Sequence, residues 1–172
     1  MSAVVKTEAV GRGKRPGARR LSRELALGLL FQYDLAGGQP ETAVLNFEKN
    51  FAPEEDADQG LEMSEADFRR AWPLAAELFL GVCRHLPDLD ADISQAASNW
   101  SLERMSPVDR ALIRLAYFEM RRRDDIPLKV SLNEALEIAK SYGDDDSAAF
   151  INGVLDRLMR LAEAAGVFEE GG

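Results

Sequence analysis

The stretch SPVDRALIRLAYFEMRR, residues 106–122, gives the clearest indication of the fold. It opens with Ser106 as a helix cap, Pro107 at the first helical position and an acid at the third, an arrangement that favours the start of an α-helix. Apolar residues such as Leu112 then recur at helical spacing to the end of the stretch. The stretch therefore predicts an amphipathic helix with a well-defined beginning.

Working outward from this helix, similar signals predict helices along most of the chain, with no convincing strand between them. We expect Ser64 and Asp67 to form a capping pair at the start of one helix. We also expect a kink or a restart near Pro73, a C′ glycine at Gly143, and a cap for the last helix within Asp144–Asp146. The remaining helices should cover about residues 19–35, 41–51, 64–86, 87–100, 127–143 and 146–166. The pattern predicts an all-α fold of six or seven helices.

Positive charge is concentrated at the N-terminal end of the chain. Residues 1–23 hold seven Lys and Arg against one acid, a balance of +6, whereas the rest holds 14 basic and 29 acidic residues, a balance of −15 within the total of −9. Glycine and proline among residues 1–17 predict a disordered basic arm. Helical phase places Arg19, Arg20 and Arg23 on one side of the first helix. They indicate either a surface for an RNA backbone or a solvated stretch with no partner.

Composition excludes several classes of function. Cys83 is the only cysteine and His85 the only histidine, so neither an intramolecular disulfide nor a four-ligand zinc site is expected. These two residues lie two apart, so on a helix their side chains diverge and form no catalytic dyad. There is no glycine-rich phosphate loop and no apolar run of about 20 residues that could span a membrane. We expect a cytoplasmic protein that holds no metal and has neither a Cys–His catalytic dyad nor a glycine-rich cofactor loop.

Two residues near the end of the chain are ambiguous. Phe150 is typical of a core residue, but at the start of a helix it could also offer a ring on which a base stacks. Gly153 lies inside a helical run, where glycine costs about 1 kcal/mol relative to alanine. Such a glycine indicates the close approach of another helix or of a ligand.

Three runs of sequence form a recognisable set: DRALIRLAYFE at residues 109–119, PLKVSLNEALEIAKSYG at 127–143 and FINGVLD at 150–156. An opening with Arg19-Arg20 and Arg23-Glu24 precedes them. Together they closely resemble the NusB family of bacterial transcription antitermination factors. The similarity spans about residues 18–160 and is densest in the C-terminal half.

This resemblance implies a seven-helix fold in two small helical subdomains, about residues 18–86 and 87–165, followed by a tail at 166–172. It also implies a protein that is not an enzyme and uses no cofactor. Such a protein would bind the boxA element of ribosomal RNA leader transcripts together with NusE, a small-subunit ribosomal protein. The pair would join NusA, NusG and RNA polymerase in a complex that suppresses premature termination.

The resemblance also assigns roles to individual positions. The positions matching the RNA surface of the family are Arg19, Arg20, Arg23, Lys129, Asp146 and Phe150. Those on the helix expected to face NusE are Asp109 and Glu119. Because an acid near phosphate is unfavourable, Asp146 would accept a hydrogen bond from a base amino group or a 2′-OH, or would only cap the last helix.

Two other interpretations stay open from the sequence. The same helical fold occurs as the N-terminal RNA-binding part of some rRNA cytosine methyltransferases, and the chain could also be a protein-interaction module without RNA contact. The apolar residues near Trp72 and Phe79 could serve a homodimer or the core of the molecule equally well.

Overall fold

The computed structural model describes residues 17–51 and 63–166 of the chain. The predicted basic arm (apart from Gly17), the acidic segment within 52–62 and the tail from 167 onward lie outside the described residues. The described part consists of helices and connections, with no strand, which confirms the all-α prediction. Its α-helices are α1 (Ala18–Ala36), α2 (Pro40–Phe51), α3 (Glu65–Arg84), α4 (Leu86–Ala96), α5 (Pro107–Arg122), α6 (Leu128–Tyr142) and α7 (Ser147–Ala164). A short 3₁₀ turn at Leu102–Arg104 joins α4 to α5.

Two helix starts follow the capping signals in the sequence. The Asp67 backbone N–H donates to Ser64 Oγ at 3.1 Å at the start of α3. The Asp109 N–H donates to Ser106 Oγ at the same distance at the start of α5. Each serine therefore satisfies one backbone donor that the first helical turn would otherwise leave unpaired, so both predicted caps are confirmed.

Helix α5 lies at the centre of the molecule. It packs against α1, α3, α4, α6 and α7, and it is buried along most of its length, with Ile113 fully inaccessible to solvent. Side chains from all seven α-helices contribute to one hydrophobic cluster around it. Removing this apolar surface from water is the main force that holds the helices together. The boundary between two subdomains near residue 86 stays a prediction.

Two local predictions need correction, the restart near Pro73 and the C′ glycine at Gly143, whereas the alternative of a kink at Pro73 stays a prediction. Helix α3 runs unbroken through Pro73, so there is no restart; Pro73 lies on the exposed side of the helix, where the backbone carbonyl that loses its partner can face water. Gly143 has φ −92° and ψ −178°, an extended conformation and not the left-handed one of a C′ glycine. Its small size matters instead, because a Cβ there would lie 2.5 Å from Ser147 Cβ.

The start of α7 also differs from the prediction. Asp146 occupies the N-cap position, yet its side chain makes no capping hydrogen bond. The Oγ of buried Ser147 accepts from the Asp144 backbone N–H at 2.9 Å. Asp146 is left exposed on the surface.

Cys83, on α3, is half-buried and forms no disulfide. Burial raises the pKa of its thiol to about 11. The thiol therefore stays protonated at neutral pH and packs as a small apolar side chain.

None of the described helices is both long enough and apolar enough to cross a lipid bilayer.

Candidate nucleic-acid interface

The three arginines at the start of α1 do not share one exposed surface. Arg19 is exposed, and the side chain of Arg20 retains 35% of its accessible area. Arg23 is buried, with 4% of its area accessible. The prediction of a common arginine surface is therefore wrong for Arg23, which faces the interior of the molecule.

Arg23 instead forms a buried ion pair with Glu119 of α5. The Arg23 Nε–H donates to Glu119 Oε1 at 2.8 Å, and the Ser131 hydroxyl of α6 donates to Glu119 Oε2 at 2.8 Å. This group, the buried triad, joins α1, α5 and α6 and satisfies both carboxylate oxygens. Glu119 is 1% accessible and cannot face a partner protein in this structure, so its predicted position on a NusE-facing surface is corrected as well.

Arg20 is held by a carboxylate at the surface. Its Nε and Nη2 donate to the two carboxylate oxygens of Glu134 on α6, at 2.7 and 2.9 Å. This hydrogen bonding lowers the pKa of Glu134 and raises that of Arg20. The pair fastens the N-terminal turn of α1 to α6 and leaves the other N–H groups of the guanidinium for a further acceptor.

A second polar contact lies beside this pair, between Glu24 on α1 and Tyr142 at the end of α6. The Tyr142 hydroxyl hydrogen-bonds to the Glu24 carboxylate. Burial raises the pKa of both groups, that of Tyr142 to about 12. Two polar side-chain contacts therefore connect α1 with α6, and Arg20 takes part in the more exposed one.

Two cations on α1 and α6 have no ion-pair partner among residues 17–51 and 63–166. Arg19 is exposed on α1, and Lys129 is exposed in the first turn of α6. Arg19 adds a small electrostatic contribution to the low pKa of Asp125, which is due mainly to a hydrogen bond from Arg123, so Arg19 lies near the α5–α6 connection. We call Arg19, Arg20 and Lys129 the basic seam.

Phe150 lies in the first turn of α7 and is half-buried, packed against the core on one side. Its ring meets the ring of Trp100 with centroids 6.2 Å apart and planes at 73°. Trp100 is 53% exposed, in the connection after α4. From the sequence, Trp100 is expected only as the end of a helix; an indole within a polar run, Ser98 to Ser101, is the signal that could have identified it.

Asp109 lies near the start of α5 and is 9% accessible. Its Oδ1 has no hydrogen-bond partner among the described residues. A buried carboxylate oxygen without a donor is costly, which makes this position a candidate for contact with a partner molecule.

The described part of the chain contains no group of three or more His, Cys, Asp or Glu side chains that could hold a metal ion. Its exposed cations and aromatic rings are groups that bind phosphate and stack on bases.

The fold and these groups define a small all-α protein with a basic seam and a partly exposed aromatic pair, Trp100 and Phe150. The model of the NusB family matches residues 20–160. The chain belongs to the NusB family, which confirms the resemblance.

Comparison with individual proteins agrees with this assignment. A transcription antitermination protein NusB from Desulforamulus reducens is 42% identical over 141 residues, which cover 82% of this chain and 89% of the relative. One of the same name from Myxococcus xanthus is 41% identical over 142 residues, covering 83% and 94%.

Solved structures show the same fold. NusB from T. maritima superposes with a TM-score of 0.68 at 32% identity and covers 86% of this chain and 93% of that one. A structure of the antitermination factors NusB and NusE in complex with double-stranded RNA contains a chain with a TM-score of 0.66 at 22% identity, covering 84% and 97%. At that identity the likeness shows the fold alone.

Proposed function

We propose that this protein is a non-catalytic, cytoplasmic transcription antitermination factor that binds the boxA element of ribosomal RNA leader transcripts together with NusE. Membership of the NusB family supports this function. The observation that carries the RNA-binding part is the basic seam: in a chain of net charge −9, Arg19 and Lys129 are exposed and have no ion pair with any described residue. Free cations of this kind attract the RNA backbone by releasing its counterions.

The proposed RNA contacts divide by chemistry. Arg19 and Lys129 contact phosphates, and Arg20 donates to a phosphate while its other edge stays on Glu134. Phe150 contacts a base with its ring. Asp146, exposed and without a capping bond, accepts from a base amino group or a 2′-OH.

The proposed contact with NusE uses Asp109. Its unpartnered Oδ1 accepts a hydrogen bond from the partner, which offsets the desolvation that the carboxylate already bears. The solved NusB–NusE–RNA assembly supports both partners, since a chain of the same fold takes part in it. The pair then joins NusA, NusG and RNA polymerase and prevents premature termination.

The test is RNA binding as a function of salt, with the chain and NusE at fixed concentration. Replacing Arg19 and Lys129 with alanine should weaken binding to a single-stranded boxA RNA. It should also flatten the plot of log affinity against log salt by about 0.7 for each phosphate that the variant no longer neutralises.

Arg84→Ala is the matched control. Arg84 is exposed at the end of α3, remote from the start of α1, and has no ion pair with a described residue. Its replacement should leave the slope unchanged. Equal slopes for the wild type and the Arg19/Lys129 variant would refute the basic seam as the phosphate site.

The NusE part is tested by the coupling between partners. If NusE raises the affinity of the chain for RNA by some factor, RNA must raise the affinity of the chain for NusE by the same factor. Asp109→Asn should reduce NusE affinity while RNA binding by the isolated chain stays unchanged. A variant that binds NusE as tightly as the wild type would remove Asp109 from the interface.

A further inference from the structure

Gly153 lies in the middle of α7, where glycine destabilises a helix by about 1 kcal/mol relative to alanine. Packing within the described chain does not require it. A Cβ built at Gly153 meets no atom within 4 Å, whereas one at Gly81 would overlap the ring of Phe118. Of the two causes that the sequence suggests, the close approach of another helix is therefore excluded within the described structure, and a ligand remains.

Gly153 forms part of the wall of an open groove of about 290 Å³ between α7 and the connection that follows α4. The volume lies at the lower end of the range for small-molecule sites, so the groove has room for one ring system. The side chains and backbone that shape it are those of Ala97, Asn99, Trp100, Phe150, Gly153 and Arg157.

The two aromatic rings form a corner of this groove. Their planes meet at 73° with centroids 6.2 Å apart, so a flat ring stacked on Trp100 points its edge toward Phe150. About half of Trp100 is exposed to water in the unbound chain. Its indole therefore offers a large apolar face to a ligand.

A cation stands at the same groove. Arg157 is exposed and has no ion pair among the described residues, whereas Arg160, one turn further along α7, pairs with Asp156 at 3.2 Å. The groove therefore combines an aromatic corner, a stretch of bare helix backbone and an unpaired guanidinium. A protein side chain would use the first of these features; a nucleotide, with a flat base and a phosphate, uses all three.

We propose that this groove holds one unpaired base of single-stranded RNA, stacked on Trp100 and seated against the α7 backbone at Gly153, with Arg157 on an adjacent phosphate. The inference rests on the proposed RNA-binding function and adds Trp100, Gly153 and Arg157 to its site. It also explains the glycine, because any side chain at position 153 would extend into the space of the base.

The experiment measures RNA affinity for variants that either place a larger side chain in the groove or remove an aromatic ring from it. The variants are Gly153→Leu, which fills it, and Trp100→Ala, which removes the stacking face. Each should weaken binding of the chain and NusE to single-stranded boxA RNA by roughly 5- to 150-fold, the range for the loss of one base–aromatic stack. Asn152→Leu is the matched control, since Asn152 is the exposed neighbour of Gly153 on α7 and does not line the groove. It should bind RNA as the wild type does.

A set of RNAs that each lack one base identifies the occupant. At one position, removal of the base should weaken wild-type binding by the same factor as Gly153→Leu, and it should weaken the binding of that variant no further. Thermal unfolding monitors the fold, and Gly153→Leu should unfold at or above the wild-type temperature because leucine is a better helix former.

The outcomes separate the two proposals. If the wild type binds RNA and both groove variants bind equally well, the groove is not a base site although the proposed function stands. If the wild type binds no RNA, both proposals fail. If the groove variants lose NusE binding while the isolated chain keeps its RNA affinity, the groove binds a protein side chain, and the inference is overturned.

Discussion

Replacing Glu119 with leucine tests whether the buried triad is a structural unit. The change leaves the Arg23 guanidinium without its carboxylate in a site where the two side chains are only 5% and 1% accessible, so bulk water cannot screen the charge. Breaking one side of such a pair costs about 3–5 kcal/mol. The cavity beside Arg23 and Glu119 measures only about 10 Å³, so in the intact chain no more than one water could help to solvate the charge.

For a chain of 172 residues, this cost corresponds to a fall in the unfolding temperature of about 6–20 °C, taking about 2–4 °C per kcal/mol. The assay is urea unfolding followed by far-UV circular dichroism, for Glu119→Leu, Arg23→Met and the double variant. The double variant removes both charges and keeps the volume, so it should be more stable than either single variant. The coupling energy from this cycle should exceed about 2 kcal/mol.

An exposed ion pair in the same chain supplies the control. Arg69 and Glu65 pair on the surface of α3, with side chains 75% and 37% accessible. The same cycle there should give about 0.3–0.5 kcal/mol. A coupling between Arg23 and Glu119 as small as this, or a double variant no more stable than Glu119→Leu, would refute the reasoning.

Two further predictions concern the surface pair and the helix packing. Glu134→Gln should raise RNA affinity at neutral pH, because the charge that holds Arg20 is removed; an affinity equal to or below that of the wild type would count against Arg20 as a phosphate ligand. Since the folded-state pKa of Glu134 lies below its ordinary value of 4.5, the stability due to this pair is complete above pH 4.5 and is lost as pH falls through the folded-state pKa. The stability difference between the wild type and Glu134→Gln, expected to be below about 1 kcal/mol, should therefore be present at pH 7 and vanish at low pH, as measured by urea unfolding at each pH. Gly81→Ala should destabilise the chain by about 1–3 kcal/mol through overlap with the Phe118 ring, whereas Gly28→Ala, whose Cβ would lie 3.5 Å from the Phe47 ring, should stabilise it; thermal unfolding of both variants is the check, and equal shifts would contradict it.

Local sequence signals were sufficient to predict the helices. Ser64 and Ser106 cap the helices that they were expected to cap, because a serine side chain reaches a backbone N–H three residues ahead whatever the rest of the chain does. The same local rules did not predict that α3 continues through Pro73 or that Gly143 is extended. There the outcome depends on which side of the helix faces water and on how closely Ser147 approaches, and neither is encoded within a few residues.

The functional site was harder to predict from the sequence than the helices were. Arg20 and Arg23 lie three apart on one helix side. Phase alone cannot show that α5 supplies a buried carboxylate to Arg23 while α6 supplies a partly buried one to Arg20. A partial signal for the burial does exist: Glu119 interrupts the apolar run from residue 115 to 120 on α5. A carboxylate in such a run needs an interior partner.

The groove could not be found from sequence because its two rings come from segments 50 residues apart. The glycine at position 153 was one sequence signal for this region, and the geometry around it excluded a neighbouring helix among the described residues.

The half-buried thiol of Cys83 has a practical consequence for spectroscopy. With a pKa of about 11, only about one molecule in ten thousand carries a thiolate at pH 7, and maleimide dyes react with the thiolate. A cysteine engineered at an exposed position such as Asn152 would be labelled hundreds of times faster. Fluorescent derivatives for single-molecule work could therefore be prepared with the native cysteine left in place.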